Sequence, residues 1–147
     1  MPVKDRIDAN VQARTITASN GFVGNVTGNV TGNVTGNITG AVNHPIQTLT
    51  ASGAITITSG IVRLVHATVA IAATLAAPVA GADLIIIDAS PSGTAAHTVT
   101  VAGATLNVTG NTIATLNAPD EVLHIVADTA TQWRIISNMN GVALSGP

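Results

Sequence analysis

The 147-residue chain contains no cysteine and no tyrosine, with a single phenylalanine, Phe22, and a single tryptophan, Trp133. The absence of cysteine excludes disulfide bonds, thiolate zinc sites and cysteine nucleophiles. With so few aromatic rings the chain also lacks a stacking platform for single-stranded nucleic acid. Hydrophobic residues, aromatic ones included, make up 46% of the chain, so almost all of them are aliphatic.

Charged residues are also scarce, at 8% of the chain against roughly 25% in an average soluble domain. Five Lys and Arg residues oppose seven Asp and Glu residues, which gives a net charge of −2. That balance provides no basic surface for nucleic acid or anionic lipid. We therefore expect neither a nucleic-acid nor a membrane partner, and a surface that is polar without being ionic.

The first ten residues, MPVKDRIDAN, are polar and charged and contain no apolar run. They do not have the pattern of a secretory signal, so synthesis in a cytosol is expected. The most hydrophobic stretch, residues 69–87, is interrupted by Pro78, Gly81 and Asp83. It therefore predicts buried strands joined by a turn rather than a membrane span.

Residues 24–40 read GNVTGNVTGNVTGNITG, a repeat of four residues. A helix is disfavoured because each glycine costs about 1 kcal/mol relative to alanine, and Val, Thr and Asn are poor helix formers. In an extended chain a period of four is two alternations, so glycines and aliphatic residues share one face while Asn and Thr occupy the other. The shared face carries Gly24, Gly28, Gly32, Gly36 and Gly40 together with Val26, Val30, Val34, Ile38 and Val42.

A single strand cannot shield that face from water. Several identical chains wound around one axis can, because the aliphatic side chains fill the centre in layers while the glycines let the backbones approach closely. The repeat therefore predicts an extended, intertwined β stem over residues 22–43. Two alternatives stay open. The segment is a flexible glycine-rich linker, or its N-V-T and N-I-T triplets are glycosylation sites, which would require secretion.

The two flanking zones differ from the stem. Residues 1–21 hold several charges and a few apolar residues, too little to fold alone, so they predict either a tail that orders on a partner or a disordered tail. Residues 44–147 contain eight short β-type runs with turn residues between them, which predict an all-β domain of the sandwich or jelly-roll-like type. The runs are 54–58, 61–66, 69–75, 84–88, 98–101, 112–116, 122–127 and 133–137, and the alanine-rich stretch 67–77 is also compatible with a helix.

The common catalytic and phosphate-binding motifs are absent from the sequence. The four histidines, His44, His66, His97 and His124, are scattered singly, which is typical of hydrogen-bonded or interface residues. In an assembly of identical chains, one histidine per chain, Asp83 or Asp88 could instead converge on the axis and hold a metal or an anion. We assign no catalytic, cofactor-binding or metal-binding residue and expect no enzymatic activity and no cofactor.

The other residues that could carry chemistry are an acidic pair, the tryptophan and two arginines. The adjacent Asp120 and Glu121 follow Pro119 in a turn and are expected to form a solvated cap rather than the carboxylate pair of a glycosidase. Trp133 is expected to cover the end of the core. Arg63 and Arg134 interrupt apolar strands, as outward residues or as partners of an acid on another chain.

The G-N-V-T array resembles the stems of bacteriophage virion fibres. The stretch from Thr48, T-L-T-A-S-G-A-I-T-I-T-S-G, resembles a domain that follows such stems in small phage head-fibre, decoration and tail-fibre-like proteins. So do H-A-T-V-A-I-A-A-T-L-A-A-P-V-A-G-A-D-L-I-I-I, A-A-H-T-V-T-V-A-G and Q-W-R-I-I-S-N further along. The resemblance covers about Phe22 to Leu144. It departs at residues 112–116, T-I-A-T-L, where similar domains often carry a Tyr or an F-G-G turn, so a ligand contact made there by relatives would be missing.

The resemblance implies a homotrimer made in the host cytoplasm, with residues 1–21 docked on the virion and the β domain projecting outward. The expected function is a capsid decoration (cement) or head-fibre protein whose partner is the major capsid protein. The alternative is a tail fibre or tail-tip protein that recognises a host surface glycan, and a glycan hydrolase on a spike is a third candidate. Candidate residues for docking on the capsid are Val3, Lys4, Arg6, Ile7, Val11, Arg14 and Ile16.

Overall fold

The computed structural model of the chain describes residues 37, 39, 41–93, 95–107 and 110–146. Residues Gly40–Pro147 form one compact unit. The predicted capsid-docking residues and the predicted stem, apart from residues 37, 39 and 41–43, lie outside the described residues, so both remain predictions. Val42 is in no strand, and its side chain is 58% exposed.

The described chain is all-β, without a helix in residues 41–93, 95–107 or 110–146. Its strands, numbered in chain order, are β1 (Ile46–Leu49), β2 (Gly53–Ile55), β3 (Gly60–Leu64), β4 (Ala72–Leu75), β5 (Asp83–Asp88), β6 (His97–Val101), β7 (Thr105–Leu106), β8 (Ile113–Leu116), β9 (Val122–Ala127), β10 (Gln132–Met139) and β11 (Ala143–Ser145). The all-β prediction is therefore confirmed.

The first six strands wind as a short β-solenoid. They alternate between two sheets, so that β1, β3 and β5 lie side by side in one sheet and β2, β4 and β6 in the other. Neighbours within each set are parallel. Each turn of the chain therefore adds one strand to each sheet, and three turns stack on one another between Ile46 and Val101.

The last five strands complete the two sheets in a different way. Antiparallel pairs join β5 to β9, β9 to β10, β6 to β8 and β8 to β11, and β7 lies parallel to β10. The result is a six-stranded sheet of order β1-β3-β5-β9-β10-β7 and a five-stranded sheet of order β11-β8-β6-β4-β2. This differs from the expected jelly-roll-like arrangement, whose neighbouring strands are antiparallel. Strand spacing in a sequence does not specify which strands become neighbours.

The hydrophobic core lies between the two sheets and consists of aliphatic side chains plus Trp133. Strands of both sheets alternate buried and more exposed residues, as a face-to-face packing requires. Trp133 is 2% exposed, and its Nε1 is buried without a hydrogen-bond partner. Trp133 was expected to cover the end of the core, and the structure shows it as a buried member of the core cluster.

Candidate functional site

The outward faces of the two sheets have different chemistry. On the five-stranded sheet, threonine, alanine and serine dominate. One row across that face runs Ala54, Thr74, Thr100, Ile113 and Ser145, and the next runs Ala72, Thr98, Thr115 and Ala143. Such small and hydroxyl-bearing side chains suit contact with water.

On the six-stranded sheet the outward face is largely aliphatic. One row across it is formed by Ile46, Ile61, Ile85, His124 and Ser137, and the next by Thr48, Arg63, Ile87, Val122 and Met139. Ile46 is 62% exposed and Met139 is 54% exposed, while the isoleucines and valine of the central strands are partly exposed. We call the set Ile46, Ile61, Ile85, Ile87, Val122, Val126 and Met139 the apolar face.

The sequences of the strands account for this difference between the two faces. β5 reads DLIIID, with four consecutive aliphatic residues, and β9 reads VLHIVA, whereas β6 reads HTVTV and alternates. An unbroken apolar run is typical of strands that are covered on both faces, and an alternating one of strands with one face in water. The apolar face was not among the sites expected from the sequence, although the run Leu84–Ile87 carries the signal that would have identified it.

Ionisable groups of both signs border the apolar face and interrupt its rows. Asp83 and His124 are joined through Oδ1 and Nε2 at 2.7 Å, and Arg134 is paired with Asp128. Arg63 is exposed in the middle of β3. Both arginines are therefore outward residues, and Arg134 finds its acid within its own chain rather than requiring one from another chain.

A shallow pocket of about 110 Å³ opens on the same face, lined by His44, Gly60, Ile61, Asp83, Ile85 and His124. It collects two imidazoles and a carboxylate. Within the described part of the chain, however, no three His, Asp or Glu side chains are close enough to hold a metal ion.

A second polar cluster lies inside the domain and contains Asp88, Ser90 and His97. His97 is fully buried, and Asp88 is 1% exposed. The His97 Nε2 lies 3.2 Å from the Ser90 Oγ and 3.6 Å from the Asp88 Oδ1, which also accepts a hydrogen bond from the Ser90 N–H at 3.0 Å. These are the residue types of a Ser-His-Asp triad, so their geometry needs comparison with one.

The hydrogen bonds of this cluster run in the wrong direction for nucleophilic catalysis. The His97 Nδ1 accepts from the Ile71 N–H at 3.0 Å, so its Nε2 carries the proton and donates to Ser90. In a triad the serine donates to an unprotonated ring nitrogen, and the carboxylate contacts the other nitrogen. Here serine and carboxylate both face Nε2. The cluster is a hydrogen-bonded structural network.

This network fixes the loop between β3 and β4. The Ser90 hydroxyl accepts from the His66 N–H at 3.1 Å and donates to the His66 carbonyl at 3.2 Å. The His66 Nδ1 accepts from the N–H groups of Thr68 and Val69. Ser90 therefore holds the first residue of the segment 66–71, and the His97 Nδ1 holds the last, Ile71. The prediction that single strand histidines serve hydrogen bonding is confirmed for His66, His97 and His124.

Replacing His97 with leucine should lower the free energy of unfolding by about 3 kcal/mol, because it leaves the Ile71 N–H without its acceptor and the Asp88 carboxylate without its nearest imidazole. Guanidinium unfolding of the purified chain measures this loss. The control is His97→Asn, whose side-chain oxygen takes the place of Nδ1. The asparagine variant should lose no more than half of the unfolding free energy that the leucine variant loses. An equal loss in both variants would contradict the role assigned to Nδ1.

Asp120 and Glu121 do not both form the solvated cap expected from the sequence. Asp120 is exposed, but Glu121 is only 2% exposed. Its Oε2 accepts hydrogen bonds from the N–H groups of Asn117 at 2.5 Å and Ala118 at 3.3 Å. The expectation was wrong for Glu121 because a turn that follows a buried strand needs acceptors for its own amides, and the carboxylate reaches back to supply them.

A small apolar pocket lies near Trp133, at the turns that follow β2 and β4. Its volume is about 70 Å³, and its walls include Ile57, Leu75 and Val79 as well as Trp133. The unpaired Nε1 of Trp133 is itself inaccessible to water. The indole N–H of Trp133 is therefore not available to orient a ligand in this pocket.

Comparison with known protein families, with curated proteins and with solved structures finds no match to this chain. Within the described ranges, no helix has the length and apolar character needed to cross a membrane.

Proposed function

We propose that the chain is a structural protein of bacteriophage virions, a homotrimeric capsid decoration (cement) or head-fibre protein. Residues 1–21 would attach it to the major capsid protein on the outer surface of the capsid, residues 22–43 would form the stem, and the β domain would project outward. No enzymatic activity is proposed.

The observation that carries this proposal is that one chain combines a repeat resembling phage fibre stems, which is predicted to assemble, with a β domain that has an aliphatic outward face. The repeat over residues 24–40 needs copies of itself to cover its aliphatic face. The β domain that follows it carries an aliphatic outward face on one of its two sheets. Exposed apolar surface that is contiguous and rimmed by polar residues is typical of a protein interface.

The order of features along the chain supports attachment by the N-terminal segment. The charged residues at the start of the chain are separated from the β domain by the repeat, so the two ends of the molecule differ in chemistry. Scarce aromatic residues disfavour glycan recognition, for which sugar-stacking rings are the common device.

The test is the native mass of the purified chain together with electron microscopy of particles that carry or lack it. The expected result is a trimer whose density disappears from the capsid surface when the gene is removed. Deleting residues 1–21 should abolish binding to particles while leaving the trimer mass of the shortened chain intact. A monomer would contradict the proposal, and a trimer located only at the tail tip would support the receptor-binding alternative instead.

A further inference from the structure

We propose that the apolar face of the six-stranded sheet is the surface through which each β domain contacts the next copy of the same chain. The inference rests on the proposed function only in assuming that copies of the chain assemble. It adds which surface of the domain they share.

The first support is the contrast between the two outward faces. Both sheets belong to the same three solenoid turns, and each has a central parallel strand flanked by strands on either side. On β6 the outward residues are Thr98 and Thr100, whereas on β5 they are Asp83 followed by Ile85 and Ile87. A domain that was alone in water would gain from threonine on both faces. The aliphatic side chains on one face therefore point to a partner on that face.

The second support is the layout of the face. Its aliphatic centre spans β3, β5 and β9, with Ile61 beside Ile85 in one row and Ile87 beside Val122 in the next. Polar groups flank each of these pairs, with His124 beside Ile85 in the first row, Arg63 beside Ile87 in the second and Asp83 at the start of β5. An apolar centre with a polar rim is the anatomy of interfaces between identical subunits. Because the rim carries both signs of charge, one copy can offer the complement of another.

The third support is the connection to the repeat. The predicted stem ends at Asn43, and β1, whose first residue belongs to the apolar face, begins at Ile46. Three residues of chain span at most about 11 Å. Copies gathered by the stem therefore enter their β domains on the strand that borders this face. A second copy is accordingly the occupant that the chain itself brings nearby.

The absence of cysteine allows a direct test in the full-length chain. Single cysteines are introduced by Ile85→Cys on the apolar face and by Thr98→Cys on the other sheet. Both positions are partly exposed, and each lies on a strand that has a neighbour on either side. A single isolated domain should therefore protect the two thiols to a similar extent. The rate of thiol modification is measured in the native protein and again in guanidinium, and native mass is recorded for each variant.

The expected result is a trimer in which the thiol at position 85 reacts more slowly than the thiol at position 98 by about tenfold or more, with equal rates after denaturation. A trimer with equal native rates would overturn the interface and leave the proposed function standing. A monomer with equal rates would overturn both. A monomer with a protected thiol at position 85 would mean that residues 1–43 of the same chain cover the face, which also overturns the inference.

A second pair of variants shows whether protection in a trimer comes from the neighbouring copy. Val122→Glu places a charge on the apolar face between Ile87 and Met139, and Thr100→Glu places the same charge on the outward face of the other sheet. The first should shift dissociation of the trimer to a concentration of protein about tenfold higher or more, because it buries an unpaired carboxylate between copies. The second should leave dissociation unchanged. Equal behaviour of the two variants would overturn the proposed interface.

Discussion

Replacing Val30 and Val34 together with aspartate is expected to abolish assembly of the chain into trimers. If the aliphatic residues of the repeat line a common axis, a trimer of this variant would bury six carboxylates, two from each chain, with no cations to pair them. Burying a charge without a partner costs several kcal/mol at each site. Native mass spectrometry of the full-length chain measures the outcome.

The matched control adds the same charges to the opposite side of the repeat. In Asn29→Asp and Asn33→Asp the new carboxylates differ from the native amides in charge but hardly in shape, and they are predicted to face water. This variant should assemble as the unmodified chain does. Trimers of the valine variant would mean that the β domains alone hold the assembly or that the valines face outward. Loss of assembly in both variants would contradict the predicted assignment of the two faces.

Replacing Gly60 with alanine is expected to lower the free energy of unfolding by about 3 kcal/mol or more. Gly60 begins β3 with a φ of +124°, a conformation that L side chains rarely adopt, and a Cβ there would overlap the Pro45 carbonyl oxygen and lie 2.9 Å from the Pro45 Cγ. That carbonyl accepts a hydrogen bond from the Ile61 N–H at 2.9 Å, so it cannot withdraw without loosening the first solenoid turn. Thermal unfolding should show a midpoint lower by at least about 10 °C.

Gly53 provides the control for this prediction. It lies in β2, its φ is not in the left-handed region, and an added Cβ meets nothing within 4 Å. Gly53→Ala should therefore be neutral or stabilise the fold by about 0.5 kcal/mol, since alanine restricts the unfolded chain. If the two substitutions had equal effects, the close packing of Gly60 beneath Pro45 would not be what requires glycine at that position.

Most strands could be predicted from local pattern because a strand needs only a short run of β-branched residues bounded by turn residues. The runs that predicted β5 and β9 agree with the observed strands within one residue. β1, β7 and β11 escaped prediction because IQTL, TL and ALS have too few apolar residues to form a pattern. In stretch 67–77, alanine favoured a helix locally, but Ala72–Leu75 forms β4 because its two neighbouring strands supply backbone hydrogen bonds.

The sequence by itself determined the all-β class of the domain, since this follows from periodicity along one chain, and it predicts a partner around the repeat. Only the tertiary structure decided that strands stack in parallel solenoid turns, because pairing depends on contacts between residues 15 or more positions apart, such as Ile46 with Ile61. Tertiary structure also gathered Ile61, Ile85 and Val122 onto one surface, buried Glu121 and turned Asp88, Ser90 and His97 into a network that fixes a loop. Those outcomes depend on which strands become neighbours, and that is settled by the packing of the whole core.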